Sequence, residues 1–125
     1  MHLITNINAT ASVTAGGNKL GKIKATLNNP IGIEPLGGYS ALVDYVVVVD
    51  EGGEDVEYEV LKADRGRTPI DEATFQALYD AAKASLPADS DMHLRLMTMS
   101  YKVVEAKMIE QYSELTSSAN FDLIP

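Results

Sequence analysis

The sequence predicts an α+β domain: antiparallel β-hairpins, about four to five strands, packed with two C-terminal helices. Three stretches predict it. Tyr39 to Ala63 is apolar and β-branched around a Gly52-Gly53 turn. Leu20 to Leu27 alternates with period two. From Phe75 to Leu115 the apolar spacing changes to three and four.

Taken in order, residues 3–14 alternate loosely and are rich in Ile, Thr and Val, which predicts one or two short strands. Ala15-Gly16-Gly17-Asn18 is a turn. Beyond it Gly21, Ile23, Ala25 and Leu27 share one side of a strand, with Lys22, Lys24 and Thr26 on the other. The result is a hairpin with a basic outer face. Asn28-Asn29-Pro30 and Glu34-Pro35-Leu36-Gly37-Gly38 form a breaker-rich connection. This connection permits residues 1–27 to be an extended β-arm on a body spanning 39–116; the alternative is an ordinary long loop within a single 1–125 domain.

The central hairpin has a definite expected register. With Gly52-Gly53 at the tip, Glu51 opposes Glu54 and Asp50 opposes Asp55. Val49 then faces Val56, Val47 faces Tyr58 and Tyr45 faces Val60, all on the core side, while Val46 and Val48 oppose Glu59 and Glu57. The first strand is expected inside the sheet and its acidic partner near an edge.

Asp64-Arg65-Gly66-Arg67 reads as a polar turn. Thr68 and Pro69 fit the cap and first position of a helix whose inner side carries Phe75, Leu78, Tyr79, Ala82 and Leu86. Pro87 ends it, and Asp89-Ser90-Asp91 can cap a second helix with a seam of Met97, Tyr101, Val104, Met108, Tyr112 and Leu115. Residues 92–99 also alternate in places, so the first turns of that helix fit a strand as well. Phe121 to Pro125 is a short apolar tail.

Composition narrows the function classes. The chain has 125 residues, no Cys and a formal charge of −8, which excludes disulfides and zinc–thiolate sites. Lys19, Lys22 and Lys24 make residues 1–35 mildly basic, and the remainder is strongly acidic. That balance argues against nucleic-acid binding. No apolar run reaches the length of a membrane span, no signal peptide is expected at Met1, and a reducing, cytoplasmic setting fits.

Gly16 to Lys22 matches the first seven places of a phosphate-binding loop, GxxxxGK[ST]. Ile23 stands where the metal-binding hydroxyl belongs, and a strand follows where a helix is needed, so hairpin turns are the better reading. The acidic tip from Asp50 to Asp55 lacks the spacing of a calcium loop. His2 and His93 form no metal-binding pair. The expectation is therefore no catalytic residue, no cofactor and no metal.

A Thr/Ala/Asn/Gly-rich β-segment without cysteine (Asn6 to Leu27), a hairpin domain, two helices and an apolar terminal tail resemble in style the small structural proteins of tailed-bacteriophage virions, those of tail, neck or baseplate. The resemblance implies assembly, rather than catalysis, in a virion put together in the host cytoplasm. A basic arm on an acidic body points the same way: contacts with copies of itself or other structural proteins, head to tail. The candidate interface residues are Lys19, Lys22, Lys24, Phe121, Leu123 and Ile124. The competing class is a small binding module that uses the methionine-rich second helix.

Overall fold

The computed structural model describes residues 1–33, 39–61, 66–85, 87 and 91–125; residues 34–38, 62–65, 86 and 88–90 lie outside the described residues, among them parts of the expected breaker-rich connection and polar turn, Leu86 of the first helix, and Asp89 and Ser90 of the expected second cap. The strands are β1 (His2–Thr5), β2 (Ala9–Ser12), β3 (Asn18–Leu27), β4 (Gly32–Ile33), β5 (Tyr39–Glu51), β6 (Glu54–Glu59), β7 (Gly66–Ile70) and β8 (Phe121–Ile124). The helices are α1 (Glu72–Ser85) and α2 (Met92–Gln111). The architecture is α+β, as expected, with an antiparallel sheet richer in strands than the sequence suggested.

β5 is the spine. On one side it pairs with β3 and β4, on the other with β6 and β7. Its register with β6 is the one expected from the Gly-Gly turn, Val49 facing Val56 and Val47 facing Tyr58. Gly52 and Gly53 both have positive φ, which only glycine adopts cheaply. β6 lies at an edge and carries its acids there. At its far end the sheet curls round to meet β2: Val13 bridges Val60, the Thr14 amide donates to Glu59 O at 2.9 Å, and Leu61 donates to Ser12 O at 2.9 Å. β2, β3, β5 and β6 thus close into a small ring at this end alone, through one bridge and two hydrogen bonds at and just beyond the ends of β2 and β6.

Closure demands close approach inside the ring. A Cβ on Gly21 would stand 2.2 Å from the Val48 carbonyl oxygen, so no side chain fits there. On the other edge of β3, β1 and β2 run in line, but Asn6, Ile7 and Asn8 bulge out between their registers. Fully buried Thr5 secures that break: its hydroxyl accepts from the Ile23 amide at 2.9 Å and donates to Ile7 O at 2.8 Å.

Residues 1–27 are therefore not an arm. Leu3, Ala9, Val13, Ile23, Ala25 and Leu27 belong to the core, and β3 lies inside the sheet. The connection after β3 is tied down by α2. Tyr101 Oη accepts from the Leu27 amide and donates to Met1 O, each at 2.9 Å, while Ser100 Oγ accepts from the Ile31 amide at 2.8 Å. The tail folds back too. β8 pairs with β1, Asn6 donates to Asn120 O at 2.9 Å, and Glu114 accepts from the free Thr10 amide of β2 at 2.9 Å.

The helix starts also differ from expectation. Gly66, Arg67, Thr68 and Pro69 belong to strand β7, an edge position where proline's missing N–H is tolerated. Asp71 caps α1 instead, accepting from the Thr74 amide at 2.8 Å and its hydroxyl at 2.9 Å. Those two bonds make it a better cap than Thr68 and hold its carboxyl below the ordinary pKa. Residues 92–99 are helical, capped by Asp91, which accepts from the His93 amide at 2.6 Å. All six expected seam residues, Met97 to Leu115, are buried, although Tyr112 and Leu115 lie beyond the end of α2.

Candidate interaction surfaces

Strand alternation gives the sheet two faces. The inner one carries Leu3, Ile23, Ala25, Leu27, Val43, Tyr45, Val47 and Val60, sealed by Met97, Tyr101, Val104 and Met108 of α2. The outer one carries His2 and Ile4 from β1, Lys22, Lys24 and Thr26 from β3, and Leu42, Asp44, Val46 and Val48 from β5. Glu57 and Glu59 from β6, with Asp122 and Ile124 from β8, complete it. Every one of these side chains is exposed or half-buried. Leu42 is 62% exposed and Ile124 40%.

Of the predicted interface residues, the structure gathers Lys22, Lys24 and Ile124 on this outer face and turns Lys19, Phe121 and Leu123 to the other side, Leu123 lying opposite core residue Leu3. Lys22 and Lys24 point outward. Lys24 Nζ reaches Glu57 at 2.6 Å, across the valines of β5. Lys22 is exposed and makes no ion pair among the described residues. Lys19 faces inward at the end of the ring, its ammonium 4.7 Å from the centre of the Tyr58 ring, and Tyr58 donates to Glu51. That attraction within the chain uses a charge expected to serve a neighbour. Phe121 is 8% exposed and packs in the core beside β1, so the tail docks on its own subunit. Leu123 (36%) and Ile124 (40%) stay at the surface.

A second surface lies where α2 begins. Met1, Leu27, Leu94 and Met97, with Asn28, Asp91 and His93, line an open cleft of about 360 Å³. Within its lining, Met1 and Leu94 expose apolar side chains, 39% and 38% respectively. Ser100, Asn120 and Glu114, which sequence reasoning passed over, and the hydroxyl of Tyr101, which it placed only in the apolar seam, hold the segments flanking these surfaces. A hydroxyl inside an apolar helical stripe was the available signal for Tyr101, since a buried polar tip needs a partner.

The motifs weighed for chemistry sit in ordinary turns and strands. Gly16 and Gly17 take positive φ in the β2–β3 turn, and Lys19 to Lys22 are strand. At the acidic tip, Asp50 accepts from the Gly53 amide at 2.9 Å. Among the described residues, no group of three or more His, Asp or Glu is placed to hold a metal ion, and no helix is long and apolar enough to cross a membrane. Comparisons with protein-family models, curated proteins and solved structures find no match to this chain.

Proposed function

We propose that this protein is structural material: a non-catalytic subunit that assembles with copies of itself or with other structural proteins into a larger particle, a virion component of the tailed-bacteriophage kind, put together in the host cytoplasm. The observation that carries this reading is the outer face, where half-buried Val46, Val48 and Ile4 and exposed Leu42 and Ile124 present apolar surface among charges. A face serving only solubility has no use for valine at alternate outward positions. Contact through faces also suits the way the sheet edges are finished. β6 is acidic, β7 contains Pro69, and β8 is short and followed by Pro125, all features that discourage strand addition.

Light scattering on the full chain, coupled to size exclusion across a wide concentration range, tests the proposal. The expected result is a mass rising above the 13.5 kDa monomer. A fixed monomer at every concentration, with no partner protein retained, contradicts it.

The cleft favours a second reading, a binding module for a small apolar ligand or side chain. An apolar fluorescent probe bound by the native chain and lost in Leu94→Asp supports that reading; no binding at millimolar probe removes it.

A further inference from the structure

The strand registers place six outward side chains in a block with a simple order. Across the sheet, Lys22 lies beside Val48, and Val48 beside Glu57. In the next outward row, Lys24 lies beside Val46, and Val46 beside Glu59. The outer face therefore carries three parallel stripes: cations on β3, valines on β5 and carboxylates on β6. Adjacent strands are about 4.8 Å apart, so the charged stripes lie roughly 10 Å from each other with the valines between them.

We propose that this block is the contact surface for a second copy of the same chain, related by a two-fold axis running along β5. The proposal rests on the assembly reading above and names its interface. A face that is positive on one flank and negative on the other is complementary to itself under one arrangement. Rotating a copy about an axis parallel to β5, lying between the two faces, places valine on valine. The same rotation sets the partner's β3 lysines over the β6 glutamates. A two-fold at right angles to the strands instead sets lysine over lysine and is disfavoured. Within one chain Lys24 reaches Glu57 at 2.6 Å. That pair is partly solvent-exposed, so it adds little to folding stability, and exchanges readily for contacts across the interface. Lys22, which has no ion pair among the described residues, gains one.

The axis also brings one unfavourable neighbour. Asp44 is the next outward side chain along β5 from Val46 and is exposed, so it faces its own copy. Two twisted sheets laid face to face diverge from their centre, so the contact centres on the valines while Asp44 opposes association.

The test is a charge-reversal cycle followed by sedimentation equilibrium of the full chain, with thermal melting to confirm that each variant folds. Lys22→Glu and Glu57→Lys alone are each expected to weaken self-association about tenfold or more. The double variant, which exchanges the charges across the axis, is expected to recover most of it, and Asp44→Asn to strengthen association about threefold or more. An associating wild type indifferent to Lys22→Glu, or a double variant no better than the singles, overturns this interface and leaves the assembly reading standing. A wild type that stays monomeric at millimolar concentration, yet binds another structural protein, removes self-association while sparing the broader reading.

Discussion

The inner and outer faces of the sheet are built from the same strands, and Val47 and Val48, adjacent on β5, show how far the faces part. Val47 is completely buried, opposite Ile23 on one side and Tyr58 on the other. Val48 looks outward between a lysine and a glutamate and is half-buried. A β-branched run such as Val46 to Val49 suggests burial on both sides. Here the second side is flanked by charged side chains, with Lys24 reaching Glu57 across the valines. Apolar character in a strand therefore reports a surface that excludes water, whether the cover comes from the same chain or from another.

The comparison can be broken most forcefully at Gly21. Gly21→Ala drives a methyl group into the Val48 carbonyl, and the loss expected in chemical denaturation is about 3 kcal/mol. A loss below about 1 kcal/mol means that β3 and β5 separate easily and the ring is not tightly closed. The paired valines sharpen the contrast at the next level. Val47→Ala should cost about 2 kcal/mol of folding stability through lost burial and a residual cavity, whereas Val48→Ala should cost under about 1 kcal/mol. Equal losses place Val48 in the same core as Val47.

Polar ties between segments come next. Tyr101→Phe removes the hydroxyl shared by the Leu27 amide and the Met1 carbonyl, with an expected cost of about 1–2 kcal/mol. Hydrogen exchange at the Leu27 amide should rise in parallel. The smallest effect concerns pH. Bonding to its own backbone amide, and then to Thr10, holds the Glu114 carboxyl below its ordinary pKa. A depressed folded-state pKa contributes stability that is fully present above about pH 4.3 and is lost as pH falls through the lower folded value. Exchange at the Thr10 amide should accelerate in that acidic window, and Glu114→Gln should flatten the pH dependence.

Much of the fold was legible locally. Gly52-Gly53 sets the β5–β6 register by counting outward from a turn, and the seam from Met97 to Leu115 is read directly from helical spacing. What sequence reasoning missed was partnership over distance. Alternation in β3 says which side of the strand faces the core but not that its neighbour is β5, so the sequence leaves open whether the first 27 residues are an arm or part of the body. The fates of Lys19 and Phe121 depend on Tyr58 and β1, far away along the chain. Thr68-Pro69 reads as a helix start in the sequence because its role as an edge strand is fixed by distant β5. The outer-face block was partly visible: the valines were seen opposite the glutamates, and the lysines were seen as one face. Only the β3–β5 pairing joins them.

Sedimentation equilibrium of wild type against Val48→Glu tests the central claim most directly, because a carboxylate there burdens only the outer face. The account predicts a wild type whose average mass climbs with concentration and a variant that remains a monomer with a nearly unchanged melting temperature. Identical association curves for the two proteins, or a Val48→Glu chain that no longer folds, would contradict it.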